Sequence, residues 1–179
     1  MSLHEIVLPE TKPETEWILG RAVQKVSPFR NHARLQLTLG AALLAWAEGR
    51  GEVGSEWRFR VAPPGEVRRP LVPDLAYVSN ERLAGLTGGD LQSPPCAPDV
   101  AIEVLSPDDV PRNVAHKIGV YLASGSELLV LVDPRDRSIQ LHDRKGMRLL
   151  HGDDALEHAA LPGFSMALPT LFRAIDRPA

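Results

Sequence analysis

Three charged residues in or beside apolar segments have the types and spacing to do chemistry together. Asp74 lies near the start of "LVPDLAYVS", Glu103 lies within "APDVAIEVLSP", and Lys117 lies in the segment that follows. Two carboxylates on neighbouring strands offer hard oxygen ligands to a divalent cation such as Mg²⁺ or Mn²⁺. A bound cation lowers the pKa of a water molecule, and a nearby lysine can stabilise charge on a phosphate. The three residues are therefore typical of metal-dependent phosphodiester hydrolysis.

The position of Glu103 inside an apolar segment needs a physical explanation. An ionised carboxylate in an apolar interior must be paired, metal-bound or neutralised. Strand alternation divides this segment into two faces: Val100, Ile102 and Val104 on one, and Asp99, Ala101, Glu103 and Leu105 on the other. Glu103 can thus line a cleft while its neighbours fill a core. An edge strand that turns Glu103 toward solvent fits the same pattern.

Lys117 lies on a predicted helix that begins near "SPDD" and ends at Gly125. Asp109, Asn113 and Lys117 are each four residues apart, so they lie along one helical face. From that face a side chain can reach back toward the strand that carries Glu103. A lysine on a solvated helix face fits the spacing equally well.

The other predicted elements would position these residues around a mixed sheet. The sequence predicts a strand over 16–26 with a bend at Gly20, a buried helix over 31–48, a hairpin of 55–62 with 71–79, a strand over 99–105, a helix capped by Ser106, Asp108 or Asp109, a strand over 127–134, and a strand pair over 137–142 and 147–151. A helix between two buried strands implies one parallel crossover, and the hairpins are antiparallel. We expect an α+β or α/β fold with a mixed central sheet flanked by helices.

Composition predicts one globular domain over residues 1–179, with residues 1–13 as a peripheral N-terminal segment. The chain has 179 residues, of which 44% are hydrophobic and 24% charged, enough for one full core. No apolar run reaches membrane-spanning length and the N-terminus lacks a signal pattern, so we expect a cytoplasmic protein that does not bind membranes. Cys96 is the only cysteine, which excludes an intrachain disulfide.

The charge pattern argues against a nonspecific nucleic-acid coat, because the formal net charge is -3. Local basic clusters could still contact phosphates; they comprise Arg58 with Arg60, Arg68 with Arg69, and Arg144, Lys145 and Arg148. The string "GRGEVG" at 49–54 resembles a dinucleotide-binding loop, but it follows a helix and not a strand, so we interpret it as a helix stop.

Several segments taken together resemble the Uma-two family of predicted nucleases. They are "EWILGRAV", "VPDLAYVS", "APDVAIEVLSP", "HKIGVYLASG", "LLVLVDP" and "LPGFSMALPTLF", which span about residues 14–173 in the family's order and spacing. The resemblance implies the restriction-endonuclease-like PD-(D/E)XK core. It also implies a histidine before the long helix, which is His32 here.

The resemblance further implies roles for individual residues. Asp74 and Glu103 would bind the metal, the backbone carbonyl of Val104 would add a ligand, and Lys117 would act at the phosphate or the attacking water. Glu16, His32 and Asn113 would support the site. In the standard motif the lysine follows the glutamate by two residues, where this chain has Leu105, and the family takes it from the helix instead. Asn113 and Arg21 stand where the family usually has acidic residues, which puts activity in question.

These observations lead to a first hypothesis of a divalent-metal-dependent endonuclease that acts on DNA. A catalytically weak or inactive nuclease-fold module for binding or assembly is the alternative, and a hydrolase for another phosphodiester would use the same three residues. A homodimer is expected, because a mixed sheet leaves edges and similar folds often cleave duplexes as dimers. The sequence does not locate the interface.

Overall fold

A six-stranded mixed sheet forms the centre of the molecule. The computed structural model describes residues 5–177, so residues 1–4 and 178–179 of the predicted domain lie outside the described residues. The strands are β1 (Thr15–Ile18), β2 (Arg21–Gln24), β3 (Gly51–Ser55), β4 (Phe59–Val61), β5 (Arg69–Leu71), β6 (Leu75–Ser79), β7 (Val100–Val104), β8 (Leu128–Asp133), β9 (Ser138–Asp143), β10 (Gly146–Leu150), β11 (Ala155–Leu156) and β12 (Met166–Ala167). The helices are α1 (Arg30–Ala47), α2 (Asn80–Leu83), α3 (Gly89–Gln92), α4 (Pro111–Ala123) and α5 (Leu168–Phe172), followed by a 3₁₀ turn over Arg173–Ile175.

The order of strands in the central sheet is β10-β9-β8-β7-β6-β3. Strands β7 and β8 are parallel, with Glu103 opposite Leu131, and α4 makes the crossover between them. The other neighbouring pairs are antiparallel. The predicted mixed sheet with one parallel crossover is therefore confirmed.

The two faces of the sheet carry separate apolar cores. Helix α1 packs on one face through Leu35, Leu39 and Leu43, against β6, β7 and β8 and the C-terminal helix. The opposite face carries Val120 and Tyr121 of α4 together with the small strands β4 and β5. Because side chains alternate along β7, its residues divide between the two cores, and Glu103 lies on the α4 side.

The N-terminal strand prediction and the first hairpin prediction were wrong in their pairing. The segment 16–26 is an antiparallel hairpin of β1 and β2 that turns at Leu19 and Gly20, both at positive φ, and is not one bent strand. Strand β6 pairs with β3, while β4 pairs with β5 in a separate two-stranded sheet. Part of "GRGEVG" is therefore β3, and a Cβ on Gly51 would lie 2.1 Å from the Val78 carbonyl oxygen.

The predicted side-chain cap of α4 was also wrong. The residue before the helix is Val110, without a capping side chain, and Pro111 opens the first turn. Asp109 instead accepts a hydrogen bond from the backbone N–H of Ser106 (2.7 Å), which stabilises the loop between β7 and α4. Pro107 and Pro111 have no backbone N–H to donate, so the Ser106 N–H is one of the few donors in this loop.

The N-terminal segment packs along the small sheet, where Ile6 N–H donates to the Arg68 carbonyl (2.8 Å). In the part of the chain from 5 to 177, no helix combines the length and apolarity needed to cross a membrane.

Candidate active site

A cavity of about 650 Å³ opens between the β1–β2 hairpin, α1, β7 and α4. Every residue that the sequence assigned to the site lines this cavity: Glu16, His32, Asp74, Glu103, Val104, Asn113 and Lys117. Asp109, one turn before Asn113, lines it as well. The fold thus brings together residues that are up to 101 positions apart in the chain.

Asp74, which directly precedes β6, has hydrogen-bond donors at both of its carboxylate oxygens. Oδ2 accepts from the backbone N–H of Val104 (2.7 Å) and lies 3.0 Å from His32 Nε2. Oδ1 accepts from Lys25 Nζ at 2.7 Å. Burial by itself would raise the pKa of Asp74, but Lys25 and His32 outweigh it and hold that pKa well below its ordinary value. Asp74 is therefore a fixed anion in this structure.

Lys25, which follows β2 of the β1–β2 hairpin, is one of the residues that the sequence interpretation missed. Its ammonium donates to Asp74 Oδ1, to Glu56 Oε2 (2.9 Å) and to the Val72 carbonyl (2.9 Å). These three bonds use all three N–H donors of the group. Burial opposes the charge of Lys25, but the surrounding carboxylates, with Asp74 first, raise its pKa well above the usual value.

Gln36 was missed as well. Gln36 Nε2 donates to the backbone carbonyl of Asp74 at 2.8 Å. Its spacing of four residues from His32 on α1 was a signal that could have identified it. No comparable spacing pointed to Lys25 or Glu56, since they reach Asp74 from loops and strand ends far away in the chain.

Glu103 and Lys117 form the other half of the site. Lys117 Nζ, near the middle of α4, lies 2.6 Å from Glu103 Oε1, and 12% of the Glu103 side chain is exposed. The contact is a close ion pair whose direction departs from that of a hydrogen bond. Burial raises the pKa of Glu103 to about 8, and Asp74 and Glu16 add to the rise against the opposing effect of Lys117 and Lys25.

Glu16 on β1 holds Lys117 in place. Lys117 donates to Glu16 Oε2 at 2.9 Å, and Glu16 Oε1 accepts the backbone N–H of Val72 at 2.7 Å. Burial opposes the charge on Lys117, yet Glu103 and Glu16 raise its pKa above the usual value. The backbone of Val72 therefore connects the two halves of the site, because its N–H donates to Glu16 and its carbonyl accepts from Lys25.

The contacts around the cavity leave an excess of negative charge. Four carboxylates belong to the cluster, namely Glu16, Glu56, Asp74 and Glu103, and they contact two ammonium groups, Lys25 and Lys117. With all six groups ionised, the cluster has a formal charge of −2. Burial is the first cause of the raised pKa values of Glu103 and Glu56, and the negative charge of Asp74 adds to both.

A divalent cation fits this cluster in charge and in donor chemistry. Among residues 5–177, no three His, Cys, Asp or Glu side chains are arranged to hold a metal ion by themselves. The oxygen atoms at the cavity wall include the carboxylates of Asp74 and Glu103 and the backbone of Val104, which are ligands of the kind Mg²⁺ and Mn²⁺ prefer, although both Asp74 oxygens already have hydrogen-bond donors. Glu103 Oε1, buried and without a hydrogen-bond donor, is an oxygen that such an ion would satisfy.

Three arginines of the predicted basic clusters form ion pairs within the chain. Arg58 pairs with Glu14, Arg60 with Glu5, and Arg69 with Glu66. No arginine contributes to the lining of the cavity within the described part of the chain. The positive side chains that line the cavity are lysines, including Lys25 and Lys117.

Comparison with known proteins identifies the family. The structure of this chain is similar to a crystal structure described as "a putative nuclease belonging to DUF820" from Anabaena variabilis. The two share a TM-score of 0.83 and 24% sequence identity, over 93% of this chain and 94% of that chain. No curated protein matches the chain. The family model Uma2, described as "Putative restriction endonuclease", matches residues 3–169. The chain, with its restriction-endonuclease-like fold, therefore belongs to the Uma2 family.

Proposed function

We propose that this chain is an endonuclease that hydrolyses phosphodiester bonds of DNA and requires Mg²⁺ or Mn²⁺. The observation that carries the proposal is the cluster in which four carboxylates share two lysines, and in which the buried Glu103 Oε1 has an ion pair with Lys117 but no hydrogen bond. Membership of the Uma2 family supports a nucleic-acid substrate.

The proposed cation ligands are Asp74, Glu103 and the backbone carbonyl of Val104. Asp74 is kept ionised by the donors around it, so it offers a negative charge at neutral pH. In an extended strand, the N–H and C=O of one residue point toward the same neighbour. Since the Val104 N–H points to Asp74, its carbonyl faces the same side. A bound divalent cation supplies positive charge next to the phosphate and lowers the pKa of the attacking water.

Lys117 is proposed to hold the phosphate or the attacking water. Its ammonium lies at the wall of the cavity, charged and buried, and Glu16 fixes its position. A preorganised positive charge in a site that excludes water stabilises developing negative charge more strongly than one in solvent. His32 and Gln36 act mainly through Asp74: His32 contacts its carboxylate and Gln36 donates to its backbone carbonyl, while Gln36 Nε2 also lies 3.4 Å from Glu56 Oε1.

The test is cleavage of supercoiled plasmid and of single-stranded DNA with Mg²⁺, Mn²⁺ or EDTA. We expect cleavage with the metals and none with EDTA. Glu103→Gln and Lys117→Met should each reduce the rate by about 100-fold or more, the usual range for loss of one charge-stabilising group. Matched variants at exposed positions, Glu81→Gln and Lys145→Met, should cleave like the wild type. Cleavage that survives in EDTA, or in both site variants, would contradict the proposal.

The alternative is a nuclease-fold module without turnover, and one observation favours it. Both oxygens of Asp74 already have donors, and one of these is the ammonium of Lys25, which occupies a carboxylate that a cation would need. Asn113 lines the cavity without a negative charge. Titration with Mn²⁺ by calorimetry separates the two functions: the endonuclease binds the ion at this site, whereas the module neither binds it nor cleaves DNA.

A further inference from the structure

The outward face of α1 is apolar, which is unusual for the exposed side of a surface helix. Leu37 is 75% exposed and Leu44 is 59% exposed, one on each side of Ala41. Ala33 and Ala45 are exposed on the same face. Most of the inward face is apolar as well, because Leu35, Leu39 and Leu43 fill one of the two cores, while His32 and Gln36 lie beside them. Helices that are apolar all round are normally buried against a partner on each side.

Charged residues lie at the two ends of this face, and they have opposite signs. Arg34 lies seven residues before Ala41, and Glu48 lies seven residues after it. The Nε of Arg34 donates to the Ala174 carbonyl of its own chain, which leaves the other N–H groups of its guanidinium for a partner. Positions seven residues apart lie close to the same side of a helix. A second copy of α1, placed antiparallel across Ala41, would therefore set Arg34 of each copy beside Glu48 of the other. The same arrangement places Leu37 of one copy over Ala45 of its partner.

We propose that the outer face of α1, formed by Ala33, Leu37, Ala41, Leu44 and Ala45, is the contact surface of a homodimer with antiparallel α1 helices. A two-fold interface uses one patch on both copies, so the patch must be complementary to itself. The outer face of α1 is complementary to itself in charge, because Arg34 of each copy lies beside Glu48 of the other. It is also complementary in size, because Leu37 of each copy packs over the small Ala45 of the other. Small residues at the crossing point allow two helices to approach closely.

The proposed surface is separate from the cavity, although the same helix serves both. His32 and Gln36 contact Asp74 from the inward side of α1. Leu37 and Leu44 do not line the cavity. The dimer would therefore support the helix that holds Asp74 while leaving the cavity open. The proposal does not depend on the proposed function.

Sedimentation velocity of the full chain tests the surface directly. We expect a dimer at about 100 μM, a concentration suited to even a weak interface of ordinary size. The double variant Leu37→Glu with Leu44→Glu should be monomeric at that concentration and keep the circular dichroism spectrum of the wild type. The matched control is Met147→Glu with Leu149→Glu, which places the same charges on two exposed apolar residues of β10 and should remain dimeric.

Charge reversal tests the orientation of the two helices. Glu48→Arg should weaken the dimer by about tenfold, because it sets two arginines against each other at both ends. Adding Arg34→Glu to Glu48→Arg should restore wild-type association, since the pair is then exchanged and not lost. Restored association in this double variant would also show that the charge changes leave the chain folded.

Several results would overturn the proposal. One is a monomeric wild type at about 100 μM, a concentration at which an interface of ordinary size would be populated. The others are a dimer that persists in the Leu37→Glu, Leu44→Glu variant and loss of the dimer in the β10 control. Failure of the double charge reversal to restore association would overturn the antiparallel arrangement. Binding of the monomer to phosphatidylglycerol vesicles that is lost with the leucine changes would assign the face to lipid instead of a second copy.

Discussion

The two halves of the buried cluster contain the same kinds of group but differ in how they are bonded. In the half built on Asp74, both carboxylate oxygens have donors, and Lys25 uses all three of its N–H groups. In the half built on Glu103, Lys117 is shared with Glu16, and Glu103 Oε1 has no hydrogen-bond donor. The pKa of Asp74 is lowered, whereas burial raises that of Glu103 to about 8.

This difference indicates separate roles for two carboxylates that a sequence motif treats as equivalent. Asp74 contributes to the fold, because it connects the β1–β2 hairpin, α1 and β7. Burial of Glu103 has a desolvation cost that Lys117 and Lys25 offset only in part, and a cation would offset more of it. Three substitutions and the addition of Mn²⁺ test whether the Asp74 half and the Glu103 half of the cluster differ in this way.

Asp74→Ala should lower the free energy of unfolding by about 3–5 kcal/mol, the usual cost of removing one partner of a buried ion pair. The reason is that Lys25 would remain buried without its closest carboxylate. Urea denaturation measures the change. Asp153→Ala, at an exposed aspartate, should change the stability little. A loss below about 1 kcal/mol for Asp74→Ala would show that this half is not a structural unit.

Added Mn²⁺ should stabilise the wild type and leave Glu103→Gln unaffected. At about a hundredfold excess over its dissociation constant, a ligand specific for the folded state adds about 2.7 kcal/mol. Without metal, Glu103→Gln should unfold at nearly the wild-type urea concentration, because Lys117 keeps Glu16 as its partner. Equal stabilisation of both proteins by Mn²⁺ would place the ion somewhere other than at Glu103.

Lys25→Met should tighten Mn²⁺ binding by about tenfold, which corresponds to about 1.4 kcal/mol. The ammonium of Lys25 lies 2.7 Å from Asp74 Oδ1 and competes with a cation for that oxygen. His32 and the Val104 N–H remain to hold Asp74 in place. Calorimetric titration gives the dissociation constant. Weaker binding in Lys25→Met would mean that the lysine organises the cation site and does not compete with it.

Tyr121→Phe should leave stability unchanged or raise it by up to about 1 kcal/mol, because the lost hydroxyl makes no hydrogen bond. Tyr121 is fully buried on α4, one turn after Lys117, and burial raises the pKa of its phenol well above the usual value. Thermal denaturation measures the effect. A loss of more than about 1 kcal/mol would indicate that the hydroxyl has a partner and that the Glu103 half is better satisfied than the contacts indicate.

Much of the fold was predictable because its longest elements have strong local signals. The helix predicted over 31–48 is α1, and the strands predicted over 99–105 and 127–134 are β7 and β8. The helix has a clear period and the two strands are apolar runs buried on both faces of the sheet, but the helix is not buried all round, because Leu37, Ala41 and Leu44 are exposed. Pairing was less predictable: "GEVGS" and "LAYVS" are short, and only their tertiary neighbours make β3 the partner of β6.

The main elements, the family resemblance and part of the cavity lining could be predicted from the sequence. Those features depend on residue type and spacing, which are local properties of the chain. The tertiary structure was needed to show that Lys25 and Glu56 join the cluster. It also showed that both carboxylate oxygens of Asp74 have hydrogen-bond donors, whereas Glu103 Oε1 has an ion pair but no hydrogen bond. Burial, electrostatic pairing and hydrogen-bond direction are set by groups far apart in the chain, so no local pattern records them.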